Sequence, residues 1–228
     1  MLKKQSVLSS VEKTIVVGAR SSLLSRHQVE EVLLELRQFH FGISFRSVFL
    51  QTTGDKDLKT SLRNLDKSDF FTKEIDAMQL RGECRIAIHS AKDLPSPLPD
   101  GLSLIALTKG IDASDSLVFR DGESLSDLPK FAKIGSSTAR RDIAVREVLP
   151  DAICVDIRST IENRLAQLDA GNYDAIVVAE AALIRLNLTH RSRVFLPGET
   201  TPLQGRLAVI AKANDEEMKQ LFLCIHAS

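Results

Sequence analysis

Apolar residues along the chain fall into short runs that alternate with stretches of helical spacing, and the alternation repeats. The run "TIVVGAR" (14–20) is β-rich, and Ser21 and Ser22 follow as N-cap candidates. Leu24, Val29, Val32, Leu33 and Leu36 then recur as the buried stripe of a helix. "ISFRSVFLQTTGD" (43–55) alternates like a strand and breaks at Gly54, and "FFTKEIDAMQL" (70–80) is helical and stops at Gly82. "CRIAIHS" (84–90) is strand again, and beyond Pro95, Pro97 and Pro99 so is "LSLIALT" (102–108). A second set opens at Ile134, followed by "GSSTARRDIAVREVL" (135–149), a capped helix ended by Pro150. "AICVDIR" (152–158), the helix "STIENRLAQLDAG" (159–171) and the strand-to-helix run "YDAIVVAEAALIRLNL" (173–188) continue the pattern. "TPLQGRLAVIAKANDEEMKQLFL" (201–223) adds one strand and one helix.

This β-α order predicts an α/β fold of mostly parallel sheets with helices on both faces. Two blocks, roughly 14–108 and 109–201, predict two domains, with the last strand and helix returning to the first. The expected division is residues 1–108 plus 202–228, and 109–201.

Composition narrows the function classes. The chain has 228 residues, 43% of them apolar, so a packed core is expected rather than disorder. Lys+Arg and Asp+Glu are equal at 30, which argues neither for nucleic acid nor for an acidic surface. Any grip on anions must come from where the arginines sit. Cys84, Cys154 and Cys224 are widely spaced, with no CxxC or HExxH, so disulfide and zinc readings are weak. No 18-residue apolar span and no signal-peptide core occur, which makes a cytosolic protein the plain expectation. Neither GxGxxG nor a P-loop is present.

In open α/β sheets ligands bind beyond the carboxyl ends of the strands. Here those ends are unusually polar. Arg20 follows "IVVGA"; Thr52, Thr53 and Asp55 follow "VFLQ"; Lys92 and Asp93 follow "IAIHS". Ser136, Ser137, Arg140 and Arg141 follow Ile134 and Gly135, and Arg158 follows "CVDI". Each has a bland reading: Arg20 paired with a surface carboxylate, Arg158 and Arg164 solvated, His89 packed in the core, Asp55 a turn former. Arg140 and Arg141 in the first turn of a helix oppose the macrodipole, which points to a bound anion there. Arginine suits bidentate capture of carboxylates, so this set fits a substrate carrying several of them, with one exposed acid as general acid/base.

The motifs "GARSSLLSRHQ", "TTGD", "FFTKEID", "IAIHSAKDLP", "GSSTARR", "IRSTIENRLAQLDAGNYDAIVVA" and "LIRLNL" stand in an order that resembles porphobilinogen deaminase (hydroxymethylbilane synthase) from about Thr14 to Leu223. The resemblance implies a cleft between two periplasmic-binding-protein-like domains, joined by crossing segments near Thr108 and Thr201. The implied reaction condenses four porphobilinogen molecules to hydroxymethylbilane, with loss of ammonia, in porphyrin and haem biosynthesis. It implies a dipyrromethane cofactor bound through a cysteine thioether, and no metal. Asp93 matches the catalytic aspartate. Lys92, Arg20, Arg140, Arg141, Arg158, Arg164 and Arg185 match groups that bind substrate or cofactor carboxylates. Ser22, Gln28, Ser136 and Ser137 match polar contacts to the cofactor or growing chain, and Phe71 an aromatic near the active-site loop. Porphobilinogen is the implied partner; nucleic acid and membrane are not, and a monomer is expected.

The sequence also departs from the family. A third α+β domain normally carries the cofactor cysteine in a G-G-C-x-x-P-like loop, and no such loop occurs here; Cys224 is a weak substitute. "LRNLDKSDFF" lacks a glycine–lysine run, with Lys67 as the stand-in, and the "GQG"-like turn reads Gly205–Arg206–Leu207. The alternative reading is therefore a truncated homologue, weakly active or inactive, that binds porphobilinogen or linear tetrapyrroles without turnover. A generic solute-binding or effector-binding domain of the same fold ranks below both.

Overall fold

The computed structural model describes residues 14–64 and 68–227, so Lys67 lies outside the described residues. The elements run β1 (Ile15–Arg20), α1 (Leu23–Arg37), β2 (Phe45–Leu50), α2 (Thr53–Lys56), α3 (Lys73–Leu80), β3 (Ile86–Ser90), β4 (Leu102–Leu107), β5 (Asp115–Phe119) and β6 (Lys133–Ser136). They continue with α4 (Ala139–Val148), β7 (Ile153–Asp156), α5 (Ile161–Asp169), β8 (Ala175–Ala179), α6 (Glu180–Arg185), β9 (Arg193–Phe195), β10 (Leu207–Lys212) and α7 (Glu216–Phe222). The helix starts are chemically marked. Ser22, Thr138, Thr160 and Asp215 each accept an N–H two or three residues into α1, α4, α5 and α7.

The strands form two five-stranded sheets, ordered β2-β1-β3-β10-β4 and β7-β6-β8-β5-β9. In the first, β1 runs parallel to β2 and β3, whereas β10 is antiparallel to β3 and β4. In the second, β6 is parallel to β7 and β8, whereas β5 is antiparallel to β8 and β9. Each sheet is thus mixed, half parallel and half antiparallel, rather than mostly parallel. The antiparallel pairs arise because the chain crosses to the second sheet after β4 and returns after β9. Strands β5 and β9 are absent from the sequence expectation. Their runs, "DSLVF" and "RVF", are short and show no alternation.

Both faces of both sheets are covered. On the first, Val17, Ile88 and Val209 pack with Val32 and Leu36 of α1 and Phe222 of α7, and on the reverse face Ile75 of α3 packs with Ala87 and Ile210. On the second, Leu117 and Phe119 point towards Val145 of α4, while Val118 points towards Leu165, Leu168 and Leu183 of α5 and α6. Neighbours on β5 thus serve opposite cores, the period of two that a strand imposes. Each fully buried Leu or Phe of this kind contributes about 1.5–3 kcal/mol. These layers bring the carboxyl ends of β1, β2 and β3 opposite those of β6, β7 and β8, around one cavity.

Candidate functional site

The cavity has a volume of ≈ 570 Å³ and draws its lining from both sheets. Beyond β3 a short turn, Ala91–Asp93, directs Lys92 and Asp93 into it. Among the described residues, no hydrogen bond or ion pair engages the Asp93 carboxylate. Lys92 Nζ donates to Gln204 Oε1 at 3.0 Å. Burial, and then Arg141, push the Lys92 ammonium down to about 8, against the pull of Asp93 and Asp115. His89, one turn of chain earlier, is buried in β3 and does not reach the cavity lining. Burial first and Arg20 second lower its imidazole to about 4, so it is neutral, with Nε2 unpartnered.

Arg20 ends β1 and is already engaged. Its Nε lies 3.1 and 3.3 Å from the two Asp55 oxygens, Nη2 closes the fork, and the guanidinium sits 4.5 Å from the Phe71 ring centre. Asp55 also accepts the Thr52 N–H and hydroxyl, both at 3.0 Å, as the capping box of α2. Burial pushes its carboxyl up, but Arg20 and Thr52 outweigh this and hold it below the usual range. Asp55 is more than a turn former: it neutralises Arg20. Phe71 can lie there only because residue 54 is glycine, since a Cβ would stand 2.5 Å from the ring. Ser22 caps α1, and the Gln28 amide donates to Ser90 Oγ at 2.8 Å.

The second sheet supplies guanidiniums with spare capacity. Arg158 Nη2 spans to the Gly54 and Asp57 carbonyls at 3.0 and 2.7 Å, while its Nε and Nη1 are buried without a partner. Arg164 donates to the Ser159 carbonyl at 2.9 Å and to Ser137 Oγ at 3.0 Å. Burial, followed by Arg141 and Arg158, lowers it to about 10. These groups are cations short of counter-charge in a partly dry space, a state that a bound carboxylate relieves.

Arg141 lines the cavity too, but its guanidinium is held by Asp115 at 2.6 Å. Arg140 is outside the lining: it bonds the other Asp115 oxygen at 2.5 Å and the Glu199 carbonyl at 2.9 Å. The anion that the arginine pair calls for at the start of α4 is thus provided by the chain itself. Burial raises the Asp115 carboxyl, yet Arg141 and Arg140 bring it to about 2. Arg185 is likewise elsewhere, bonded to Glu31 of α1 at 2.6 and 2.9 Å and to the Gly205 carbonyl at 2.9 Å. Ser136 is buried behind the lining, its hydroxyl on the Thr138 carbonyl at 3.4 Å. The structure therefore brings Arg20, Ser22, Gln28, Phe71, Lys92, Asp93, Ser137, Arg141, Arg158 and Arg164 together, and leaves Arg140, Arg185 and Ser136 out.

Sequence reasoning missed Asp115, Gln204 and Glu162. Glu162 lines the cavity with one oxygen buried and unpartnered. Asp115, a carboxylate opening a fully buried strand, is a signal that requires a counter-ion. The turn before β10 is also framed differently. The left-handed positions are Leu203 (φ 64) and Gly205 (φ 83), so Gln204 is its centre.

The chemistry of the donors can be tested against a dipyrromethane. Lys92, Arg158 and Arg164 have unmet demand for anions, and Arg158 carries two buried donors with nothing to bond, so the cavity fits a pyrrole bearing several carboxylates. No cysteine lines it. Cys84 is buried and burial pushes its thiol up to about 11, and Cys154 sits half-buried in β7. Cys224 is exposed after α7, its thiol also raised by burial and Glu35, with Sγ donating to the Leu221 carbonyl. None is activated as a thiolate.

A family model described as "Porphobilinogen deaminase, dipyromethane cofactor binding domain" matches residues 15–220. A "Probable porphobilinogen deaminase" of Chlamydia pneumoniae is 40% identical over 215 residues, 94% of this chain and 91% of that protein. A "Porphobilinogen deaminase" of Fusobacterium nucleatum is 38% identical over 221 residues, 95% of this chain and 74% of that one. In fold, a lipoprotein of Treponema pallidum superposes with a TM-score of 0.60 at 14% identity, covering 93% of this chain and 90% of its own. An ancestral cationic amino acid solute binding protein gives 0.54 at 13%, covering 92% and 86%. Among the described residues no helix is long and apolar enough to cross a membrane.

Proposed function

Because this chain belongs to the porphobilinogen deaminase family, we propose that it joins four porphobilinogen molecules head to tail, releasing one ammonia for each, with one water supplying the terminal hydroxyl of the hydroxymethylbilane product. The observation that carries the proposal is an unengaged carboxylate, Asp93, sharing one cavity with Lys92, Arg158 and Arg164. Asp93 in its acid form gives its proton to the departing amine as the carbon–nitrogen bond breaks. The resulting carboxylate faces the cationic azafulvene and, once the new carbon–carbon bond forms, takes up the pyrrole α-proton. One residue is thus acid and then base in each round. Each pyrrole brings two carboxylates, which Lys92, Arg158 and Arg164 hold. Arg141 serves through the face left free by Asp115, and Arg20 through the edge not taken by Asp55. Dipyrromethane, when bound, supplies the pyrrole carbon to which the first unit is joined; the same cations would hold its side chains. We assign the domains as 1–108 with 202–228, and 109–201.

The test is consumption of porphobilinogen by the purified protein, read beside the intact mass of the denatured chain from cells that make porphobilinogen. Turnover is the expected result, and a covalent increment equal to a dipyrromethane, once mapped, would identify the residue that anchors it. Porphobilinogen binding without turnover and with an unmodified mass would replace the proposal by a binding role. Asp93→Asn should lower turnover by about 10³-fold, the range for loss of a general acid/base, with the far-UV circular dichroism unchanged. Undiminished turnover would remove Asp93 from the chemistry.

A further inference from the structure

Gln204 sits in the segment that returns from the second sheet to the first, and every polar atom of its side chain is in use. Its Nε2 donates to the Ala113 carbonyl at 2.7 Å, to the Ser114 carbonyl at 3.2 Å and to Asp115 Oδ1 at 3.0 Å. Its Oε1 accepts from Lys92 Nζ at 3.0 Å. It is 4% exposed. One amide therefore ties the outgoing crossing segment, the carboxylate that holds Arg140 and Arg141, and the lysine beside Asp93.

The backbone holds this amide in place at some expense. Leu203 has φ 64, a left-handed conformation that a branched side chain adopts reluctantly. Gly205 has φ 83, and a Cβ there would stand 2.2 Å from the Asp112 carbonyl oxygen. Two left-handed residues thus flank Gln204, and the returning segment is pressed onto the outgoing one. Such strain persists where the surroundings fix it, and here what it fixes is the direction of the Gln204 side chain.

We propose that Gln204 is a positioning residue for the reaction: it aims Lys92 into the cavity and sets it against the Arg140–Asp115–Arg141 node. The inference rests on Lys92 as a holder of substrate carboxylates. An ammonium on a flexible stem, taken from water, needs an acceptor to define its direction. The charged groups around it are Asp93 beside it in the chain, and Arg141, Asp115 and Arg140 from the second sheet. Neither carboxylate is within salt-bridge distance of Nζ. Gln204 Oε1 is the acceptor that holds it, and it is neutral. A neutral acceptor leaves the positive charge available to a ligand, which a glutamate would quench.

The test is a double-mutant cycle on Gln204→Met and Lys92→Met, read as KM against kcat and as the Kd of porphobilinogen. Each single change is expected to raise KM and Kd about tenfold, and the double variant to be no worse than Lys92→Met alone. Additive losses, or a Gln204→Met protein with unchanged KM and Kd, would overturn the proposal. Gln204→Asn is the second arm, because it keeps the amide but is shorter by one methylene. It is expected to retain the melting temperature by bonding the 113 and 114 carbonyls, yet to bind porphobilinogen as weakly as Gln204→Met. Wild-type affinity in Gln204→Asn would equally sink the idea. Because Kd is read alongside turnover, a chain that binds without reacting still returns an answer, so failure here is distinct from failure of the catalytic reading.

Discussion

The two sheets are built to one plan and put to different use. Each places a parallel edge pair first, then a third parallel strand, then an antiparallel strand arriving from the other sheet, then an outer strand. The chemistry at their facing ends diverges. The first sheet presents the unengaged Asp93, the half-buried Lys92, and an arginine, Arg20, already matched by Asp55. The second presents Arg158 and Arg164 with donors to spare and Arg141 half-satisfied by Asp115. The contrast teaches that the scaffold decides only where side chains emerge. Under the proposed function, which wall reacts and which wall grips is decided by a few residues after each strand.

Four changes, from the largest expected effect to the smallest, probe that division beyond the loss of Asp93. Asp115→Ala leaves Arg140 and the buried Arg141 without their counter-ion, and urea unfolding should show a loss of about 3–5 kcal/mol. A loss below 1 kcal/mol would mean that the node is not structural. Arg164→Gln removes grip without touching the acid; KM for porphobilinogen should rise about 30-fold while kcat changes much less. An equal fall in kcat would place Arg164 on the reacting side instead.

The third concerns pH. Free Lys92 titrates at about 8, and a bound carboxylate moves it back towards its ordinary 10.5. The complex therefore holds more protons than the free protein between those values, so affinity is full below pH 8 and falls as pH rises through that window. Calorimetry at pH 8.5 in two buffers of different ionisation enthalpy should register proton uptake on binding; a buffer-independent heat would contradict it. Last, Cys224→Ser touches an exposed thiol outside the cavity lining, and should shift stability by less than about 0.5 kcal/mol. Disappearance of a covalent mass increment in that variant would make Cys224 the anchor.

Much of this was legible in the chain. The β-α rhythm, the Ser22 cap and the polar strand ends all lie where the pattern predicts, because each is encoded within a few neighbouring residues. What was not legible depends on distant partners. Nothing near Arg140 and Arg141 announces Asp115, which comes 25 and 26 positions earlier on a strand whose five residues do not alternate. Arg140 and Arg185 read as free cations for the same reason: Asp115 and Glu31 reach them only after folding. The antiparallel members of each sheet were hidden because a crossing strand looks locally like any other. Gln204 was hidden because a glutamine carries no charge to draw notice.

The crossings also dictate an order of assembly. Strand β10 fills the gap between β3 and β4, and its residues, Leu207–Lys212, are made some hundred positions after theirs. The second sheet needs only residues 115–195 and holds all its strands in one stretch of chain. During synthesis on the ribosome, the middle of this protein can therefore close its hydrogen-bond ladder while the part made first is still waiting. Until β10 emerges, β3 and β4 have bare edges that face water or a chaperone.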